Sequence, residues 1–455
     1  MFETVAAVST PRGKGGIAVI RISGGDSEKI LRKIFRPAGK APWENPRFAS
    51  FGEIVDGDEV IDTGIATFFE EGKSFTGESA AELSCHGGTA VTKAVLEAVF
   101  KAGASPAPAG EFTKRAFVNG KLSLTQAEAV GRLIDADTDS RRRLASGAAR
   151  GKLREKTENI RKELLGVLSA LYATIDYPEE DLGDEGERNM ENVFLRAIEG
   201  LDSLIRTYKT GCAVADGVVC VICGSPNCGK SSLYNLLCGE DKAIVTDIAG
   251  TTRDTLWETV DAGGITLRLA DTAGIRRTGD KIEEIGVERA LECMEGAELI
   301  ITVFDGSRPL DSDDRRLIEA LSEKIQPKIS VINKSDLPFA VEQDEIAEVS
   351  DKTVIMSAKT KSGTEKLYRA VSEIFNEDNL SLSSDALLWD ARHKATVENA
   401  RDMLCEALEG LRRGDAADAV CTLAESALAS LSMLDGRGVS EEIVGEIFAR
   451  FCVGK

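Results

Sequence analysis

The segment that most constrains the fold is a glycine-rich loop at residues 224–231, which follows the pattern G-x-x-x-x-G-K-S. The apolar residues 218–223 before it predict a buried strand, and residues 232–237 after it predict the start of a helix. In this context the backbone N–H groups of the loop and of the helix N-terminus hold phosphate oxygens. We therefore expect an α/β nucleotide-binding domain in which Lys230 bridges the outer phosphates and Ser231 binds Mg²⁺.

Three further motifs follow in order, each directly after an apolar run that predicts a strand. D-T-A-G at residues 271–274 can reach Mg²⁺ and sense the terminal phosphate. N-K-S-D at residues 333–336 ends in Asp336, whose two carboxylate oxygens match the two N–H donors of guanine, and S-A-K at residues 357–359 completes the base pocket. Four motifs in this order predict a GTP-binding domain of the Ras-like superfamily. The residues expected to contact GTP are Asn227, Cys228, Gly229, Lys230, Ser231, Ser232, Thr246, Asp247, Ile248, Ala249, Gly250, Thr251, Thr252, Asp271, Thr272, Ala273, Gly274, Asn333, Lys334, Asp336, Ser357, Ala358 and Lys359.

One position departs from the Ras pattern. Ras-type enzymes place a glutamine directly after D-x-x-G to orient the attacking water, whereas this chain has Ile275, which has no polar atom for that task. Glu283 or Glu284 can position the water instead, but either acid can equally stabilise the first turn of the helix predicted after it. The residues alone leave this choice open.

The first switch segment is expected at residues 246–254. Thr252 is a candidate Mg²⁺ ligand. Hydroxyls, and carbonyls exposed around Gly250, can hold a monovalent cation against the phosphates, and Asn227 offers an amide oxygen to the same ion. Such a cation would place positive charge where an arginine finger acts in other GTPases.

Composition predicts an ordinary globular protein of about three domains, at roughly 150 residues per domain. The chain has 455 residues, of which 42% are hydrophobic and 29% charged. Its net charge of −20 excludes a polycationic nucleic-acid binder, but more than half of that charge lies between residues 217 and 380. A basic run at residues 141–162 remains, and it predicts either a solvated helix face or a surface for RNA or a partner.

The chain is expected to be cytoplasmic and without membrane association, because no uncharged apolar run is long enough to span a bilayer and the N-terminus lacks a signal-peptide pattern. Ten cysteines are too few for a disulfide scaffold, and two histidines argue against a histidine-rich metal site. Cys220 and Cys223 form a C-x-x-C pattern, but they lie in an apolar run and are interpreted as buried strand thiols.

The predicted fold is a multidomain arrangement. Short β-like runs with a helix near residues 89–101 predict an α+β N-terminal domain. Leucines and alanines at helical spacing predict an all-α central domain. This helical pattern is interrupted by a predicted loop at 177–187 and resumes at residue 385, after the α/β segment. The predicted boundaries are 1–120 for the α+β domain, 121–216 with 381–455 for a discontinuous helical domain, and 217–380 for the inserted Ras-like α/β phosphate-loop domain.

Polar residues also gather at the two ends of the chain. In the first domain charged groups stand among glycines and can form a pocket for a polar small molecule; they belong to Arg21, F-T-G-E at 75–78, Glu82, H-G-G at 86–88 and G-K at 120–121. The chain ends in C-V-G-K at residues 452–455, which places a thiol beside a terminal lysine and does not match a prenylation box.

Over essentially its whole length the chain resembles the MnmE (TrmE) family of tRNA-modification GTPases. The motifs that carry the resemblance are R-I-S-G at 21–24, S-F-T-G-E at 74–78, H-G-G at 86–88, G-E-F-T at 110–113, R-A-F at 115–117, Q-A-E-A at 126–129, P-N-C-G-K-S-S at 226–232, D-I-A-G-T-T-R-D at 247–254 and the C-terminal signature at 452–455.

This resemblance implies hydrolysis of GTP to GDP and joint action with the FAD-dependent, NADH-using protein MnmG (GidA), in a heterotetramer or larger complex. The two would add an aminomethyl or carboxymethylaminomethyl group to C5 of the wobble uridine of tRNA, with formyl- or methylene-tetrahydrofolate as the one-carbon source. It also implies a homodimer formed through the N-terminal domains, with GTPase domains that meet across GTP. Folate would be held by Arg21, Glu82, Lys121 and Lys455.

The resemblance assigns further roles in the GTPase domain. Mg²⁺ would be held by Ser231 and Thr252, and the water-positioning carboxylate would be Glu283 rather than Glu284. With Lys230 and Glu283, the terminal thiol of Cys452 completes the candidate catalytic set, although its chemical role stays open. Cys228 and Val453 depart slightly from the family pattern, and Cys228 raises the possibility of oxidation near the phosphates. The potassium ligands would be Asn227, Thr246, Ile248 through its backbone, and Thr251.

Two other functional classes share part of this pattern. A ribosome-assembly switch that binds rRNA without modifying it has the same GTPase motifs, but it gives no reason for the C-terminal signature or the N-terminal pocket. A metabolic kinase with the same phosphate loop conflicts with N-K-S-D as a guanine reader.

Overall fold

The structure is a computed structural model that describes residues 3–11, 13–176, 183–240, 257–270, 294–376 and 378–454. Its packing divides the chain into two units, one made of Met1–Gly131 with Ser432–Lys455 and the other of Arg132–Leu431. The domain boundaries given above stay a prediction.

The described N-terminal residues form seven strands and three helices. These elements are β1 (Val5–Val8), β2 (Ile17–Ser23), α1 (Ser27–Ile34), β3 (Phe35–Pro37), β4 (Ser50–Asp56), β5 (Glu59–Phe69), β6 (Ala80–His86), α2 (Thr89–Ala102), β7 (Ser105–Pro106) and α3 (Glu111–Val118). The strands form one mixed sheet in the order β3-β4-β5-β6-β2-β1-β7. Alternation along β2 buries Ala18, Ile20 and Ile22 against α1 and α2, so that Arg21 lies on the opposite face of the sheet.

A run of helices leads from this sheet to the next. Its elements are α4 (Leu124–Ile134), α5 (Asp139–Ala149), α6 (Lys152–Asp176), α7 (Gly183–Arg206), α8 (Tyr208–Cys212) and a π-helical turn at Ala213–Gly217. The π-helical turn runs directly into the first strand of the second sheet, so the helical and α/β parts of this unit join without a separate linker.

The second sheet and its helices are built from residues 218–375. The described elements are β8 (Val218–Gly224), α9 (Lys230–Glu240), β9 (Trp257–Ala262), β10 (Ile265–Ala270), β11 (Leu299–Asp305), α10 (Ser312–Ser322), β12 (Lys328–Asn333), α11 (Asp344–Glu348), β13 (Lys352–Ile355) and α12 (Thr364–Phe375). Within the described residues the sheet has six strands in the order β13-β12-β11-β8-β10-β9, all parallel to their neighbours except β9. Every residue of the central strand β11 is buried, as expected for a parallel strand covered on both faces.

The C-terminal residues form α13 (Ala391–Arg413), α14 (Ala417–Leu434) and α15 (Glu441–Ala449). Helix α13 packs on α7, and Phe448 of α15 packs on Phe117 of α3. Among the described helices, α14 is long and apolar enough to cross a membrane, and 44% of it is buried inside the protein.

Most predicted elements agree with the structure, and two helix starts do not. The strands predicted at 218–223, 265–270 and 329–332 and the helix at 89–101 are all present. Helix α7 begins at Gly183, inside the loop predicted at 177–187, and residues 177–182 of that prediction lie outside the described residues. The helix predicted from residue 385 begins at Ala391 instead, because the Asp390 carboxylate accepts the Arg392 N–H and acts as the N-cap.

Candidate functional site

The glycine-rich loop connects the end of β8 to the first residue of α9. Gly229 has φ +103°, and a side chain there would collide with the Asn333 amide, so this position requires glycine. Gly224 has φ +153° and lies against the carbonyl of Val303 on the neighbouring strand. The two glycines of the motif therefore satisfy a tight turn packed against β11 and β12.

Polar groups of this loop gather at the N-terminus of α9. The Lys230 ammonium is half-buried and donates to the carbonyls of Gly224 at 3.0 Å and Ser225 at 2.8 Å. Asn227 has φ +59° and an exposed side chain, and Ser231 and Ser232 are exposed on the first turn. An exposed helix N-terminus with a lysine beside it attracts anions.

The base-reading motif is joined directly to the loop. The Asn333 amide donates to the Cys228 carbonyl at 2.9 Å, and its oxygen accepts from the backbone N–H of Ala358, also at 2.9 Å. One side chain thus connects three of the predicted motifs. Because β8, β12 and β13 are parallel, these motifs all follow the carboxyl edge of the sheet, where α/β proteins bind ligands.

The side chains after Asn333 are held in fixed positions. Lys334 pairs with the buried carboxylate of Asp305 at 2.6 Å, and Asp336 accepts a hydrogen bond from the Ser357 hydroxyl at 2.6 Å. That hydrogen bond lowers the pKa of Asp336 below its usual 3.8. Burial raises the pKa of Asp305, but hydrogen bonds from Lys334 and Ser307 outweigh it and the net shift is downward. Both carboxylates are therefore charged at neutral pH.

Arg21 and Glu82 lie opposite each other on β2 and β6 and form an ion pair at 2.8 Å. The Arg21 guanidinium lies 5.6 Å from the ring centroids of both Phe75 and Phe112. Contact with two aromatic rings and a carboxylate fixes the orientation of this arginine. Two of the predicted pocket residues are thus brought together in the N-terminal unit.

Lys121 contacts the same loop that carries Phe75. Its ammonium donates to the Gly72 carbonyl at 2.7 Å, and Asn119 donates to the Thr76 carbonyl at 2.7 Å. Gly77 has φ +81°, and a side chain there would press on the stems of Asn119 and Lys121. The loop between β5 and β6 therefore connects the surroundings of Arg21 with those of Lys121.

The C-terminal segment lies in the same unit. The Ser9 hydroxyl donates to the Gly454 carbonyl at 2.9 Å, and Val453 forms an antiparallel bridge with Ala109. Gly454 has φ +96° and packs on the carbonyl of Val8, next to Ala7, which pairs with Arg21 across the strands. The end of the chain therefore approaches the strand that carries Arg21, and the thiol of Cys452 is exposed.

A buried ionic network around Arg115 was missed by sequence reasoning, which placed Glu78 among the pocket residues but gave Arg115 and Glu111 no role. Arg115 is 2% exposed and pairs with Glu78 at 2.9 Å and with Glu111 at 2.8 Å. It also donates to the backbone carbonyls of Ser23 and Glu3. Glu111 stands four residues before Arg115, which was the one local signal in the sequence.

Comparison with known proteins decides the family. A family model described as the MnmE helical domain matches residues 124–452, and one described as the GTP-binding protein TrmE N-terminus matches residues 4–121. The chain is 40% identical to the tRNA modification GTPase MnmE of Thermotoga maritima, 38% to that of Acetivibrio thermocellus and 37% to that of Natranaerobius thermophilus. Each alignment covers 100% of this chain and 100%, 99% and 99%, respectively, of the relative.

The chain belongs to the MnmE family of tRNA modification GTPases. The expected multidomain fold and the expected enzyme class, a GTPase acting in tRNA modification, are confirmed at the level of this family. Among solved structures, the G domain of the Thermotoga maritima FeoB iron transporter covers 34% of this chain and 97% of its own length, at 26% identity. Its TM-score of 0.24 is too low to support a structural argument.

Part of the predicted MnmE-type site lies outside the described residues. These positions are Thr246, Asp247, Ile248, Ala249, Gly250, Thr251, Thr252, Asp271, Thr272, Ala273, Gly274, Glu283 and Lys455. Of the residues predicted to bind Mg²⁺ and potassium, the described ones are Ser231, which offers a hydroxyl, and Asn227, which offers an amide oxygen. Both are oxygen donors of the kind that such cations prefer.

The cysteines of this MnmE-family chain are free thiols throughout the described residues. Cys220 and Cys223 are buried in β8, which confirms their interpretation as strand thiols, and the described part of the chain contains no cluster of side chains suited to a metal ion. Cys228 is fully buried in the phosphate loop, and burial raises the pKa of its thiol. A buried, protonated thiol resists oxidation, which weakens the suggestion of a redox-sensitive loop.

The basic run at 141–162 is partly paired with nearby acids. Arg141 pairs with Asp137, and Arg142 and Arg143 both pair with Asp139. Both aspartates lie just before the run. Further along, Lys152 pairs with Glu155, Arg161 pairs with Glu158, and Arg150 and Lys156 donate to Ser383 and Ser203. These ion pairs involve five of the nine basic side chains and four carboxylates, so the run keeps a net positive charge and both predicted roles stay open.

Proposed function

We propose that this chain is a potassium-activated cytoplasmic GTPase that, with the flavoprotein MnmG, adds an aminomethyl-type group to C5 of the wobble uridine of tRNA. A tetrahydrofolate derivative would supply the one-carbon unit. The observation that carries the GTPase part is the Asn333 side chain, which joins Cys228 of the phosphate loop to Ala358 beside the base reader. Membership of the MnmE family supports the tRNA part.

In the proposed mechanism, the N–H groups of residues 224–231 and the N-terminus of α9 orient the phosphates of GTP. Lys230 leaves its carbonyl partners and donates to the outer phosphates, because a phosphate is a stronger acceptor than a neutral carbonyl. Asp336 accepts from both N–H groups of guanine while Ser357 fixes its orientation. Glu283 is the proposed residue that orients the attacking water.

Mg²⁺ at Ser231 and potassium at Asn227 would neutralise charge that develops on the phosphates during transfer. Thr252 is the proposed second Mg²⁺ ligand, and Thr246, Ile248 and Thr251 are the proposed further potassium ligands.

In the N-terminal unit, tetrahydrofolate is the proposed ligand of Arg21, Glu82, Lys121 and Lys455. A carboxylate such as Glu82 can accept from the N–H groups of a pterin ring, and an arginine or lysine can pair with the glutamate tail. The cofactor supplies the one-carbon unit when bound. Phe75 is 39% exposed beside Arg21, so its ring offers an aromatic surface to the pterin ring of the proposed ligand. Cys452 stays a candidate catalytic thiol in this proposal.

The proposed homodimer is supported by apolar side chains on the sheet face opposite the core. Phe51 on β4 and Ile65 on β5 are direct cross-strand partners and are 60% and 43% exposed. Ile17 on β2 is 68% exposed. Apolar side chains grouped on one face mark interaction surfaces. MnmG would bind elsewhere and, since this chain carries a net charge of −20, would supply much of the tRNA contact.

GTP turnover by the purified chain, measured in potassium and in sodium at equal ionic strength, tests this proposal. We expect turnover at least about tenfold faster in potassium, which corresponds to about 1.4 kcal/mol of transition-state stabilisation by the cation. Lys230→Ala is expected to be inactive in both salts. Equal rates in the two salts would remove the potassium assignment. Retention of no folate by the full-length chain would instead favour an rRNA-binding switch.

A further inference from the structure

Arg308 contacts the phosphate loop from a position outside every motif named above. It follows β11 and precedes α10, whose N-cap is Asp311. One terminal nitrogen, Nη1, lies 2.8 Å from carboxylate oxygens of both Asp311 and Asp314. The other, Nη2, donates to the Ser225 hydroxyl at 3.1 Å. The guanidinium therefore connects the first turn of α10 with the second residue of the loop.

Ser225 is held from two directions. It is 1% exposed, its hydroxyl accepts from Arg308, and its carbonyl accepts from Lys230 at 2.8 Å. The other half of the loop is held by Asn333 through the carbonyl of Cys228. Asn333 and Arg308 thus hold opposite halves of one loop, so that both halves keep the conformation that presents N–H groups to phosphates.

The surroundings of Arg308 require an arginine. Asp314 is 1% exposed, its Oδ1 has no hydrogen-bond partner among the described residues, and its Oδ2 contacts Arg308 and accepts from the Asp311 backbone N–H. A planar guanidinium can pair with two carboxylates and still donate to a hydroxyl in a fixed direction, whereas a lysine ammonium has no such rigid fork. The geometry therefore combines charge neutralisation with a directed contact to the loop.

We propose that Arg308 is a positioning residue for the phosphate loop, which it holds through Ser225 in a nucleotide-ready conformation without touching the nucleotide. This inference rests on the proposed function, because it takes residues 224–231 as the GTP-binding loop. Preorganisation of a loop raises affinity by reducing the ordering cost of binding. The alternative is that Arg308 serves only to neutralise Asp314.

Binding of a fluorescent GDP analogue to the full-length chain separates these two roles. Ser225→Ala removes the hydroxyl but leaves both ion pairs of Arg308 intact, so the fold is preserved. We expect it to weaken GDP binding about tenfold, the change that corresponds to about 1.4 kcal/mol. Arg308→Lys keeps a positive charge near Asp314 and is expected to weaken binding similarly. Wild-type affinity in both variants would overturn the inference and leave neutralisation of Asp314 as the role of Arg308.

A double-mutant cycle adds a second test that a purely structural role would not pass. If Arg308 acts through Ser225, Ser225→Ala combined with Arg308→Lys binds GDP no more weakly than the weaker single variant. Additive losses would contradict the proposal. The matched control is Arg315→Ala on α10, the helix that follows Arg308, where an exposed pair with Glu345 is lost and wild-type affinity is expected.

Lys230→Ala distinguishes failure of the inference from failure of the proposed function. If it retains GDP binding, the phosphate-loop assignment itself is wrong. If it loses binding while both Ser225→Ala and Arg308→Lys keep it, only the role of Arg308 is wrong.

Discussion

The Asp261 carboxylate accepts hydrogen bonds from both the backbone N–H and the hydroxyl of Ser140. Asp261 lies near the end of β9, beside the turn to β10, and Ser140 lies in the first turn of α5. The N-cap residue of α5 is Thr138, and the hairpin of the nucleotide-binding sheet supplies a second acceptor to the same helix end. The predicted switch segments adjoin the other ends of β9 and β10 in the sequence and lie outside the described residues.

Removal of the Asp261 carboxylate is expected to destabilise the chain. Asp261→Ala deletes an acceptor for the Ser140 N–H in the first turn of α5, while the N-cap residue Thr138 remains, and loss of such a capping contact costs about 0.5–2 kcal/mol of the free energy of unfolding. Urea denaturation followed by circular dichroism measures it. Asp58→Ala, at an exposed turn, is the matched control and is expected to change the free energy by less than about 0.5 kcal/mol. Equal effects of the two substitutions would contradict a capping role.

The buried Arg115 network makes a larger contribution. Arg115→Met leaves the carboxylates of Glu78 and Glu111 without their cation in a buried place, which costs about 3–5 kcal/mol. We expect a marked loss of unfolding free energy and a lower melting temperature. Arg450→Met, which removes an exposed pair with Glu446, is the control and should be nearly neutral. A nearly neutral Arg115→Met would show that the network is dispensable.

Asp336 determines base specificity in this account. Asp336→Asn presents one donor and one acceptor, so it cannot accept from both N–H groups of guanine. It does match xanthine, which has a carbonyl in place of the amino group. We expect affinity for GTP to fall by about 100-fold or more and affinity for the xanthine nucleotide to rise. Competition between the two nucleotides measures the switch, and an unchanged preference for GTP would remove Asp336 from the base pocket.

The Ser357 hydroxyl extends guanine recognition to lower pH. Because its hydrogen bond lowers the pKa of Asp336 below 3.8, the charged form of the carboxylate persists to a lower pH than in an ordinary aspartate. Ser357→Ala is expected to move the pKa of Asp336 upward, so that GDP affinity falls at a higher pH on acidification. Carbon NMR of the Asp336 carboxyl group through a pH titration checks the direction. An unchanged or lower pKa in the variant would be the opposite result.

The sequence predicted those parts of the site whose chemistry is local. Lys230, Asn333 and Asp336 belong to short motifs after predictable strands, and the structure brings them to one sheet edge. The role of Arg115 was not predictable, because its partner Glu78 is 37 residues away and a charged core position gives no apolar signal. Arg308 was missed for the same reason, since its loop partner Ser225 lies 83 residues earlier. The start of α13 at Ala391 depended on the Asp390 cap rather than on the helical pattern that surrounds it.

Nucleoside analysis of tRNA tests the central claim most directly. Total tRNA would be digested and examined by mass spectrometry from three kinds of cells. These are cells without this protein, cells complemented with the wild-type chain and cells complemented with Lys230→Ala. The account predicts that the C5-modified wobble uridine disappears without the protein, returns with the wild-type chain and stays absent with Lys230→Ala. An unchanged level of the modified uridine in cells without the protein would contradict it.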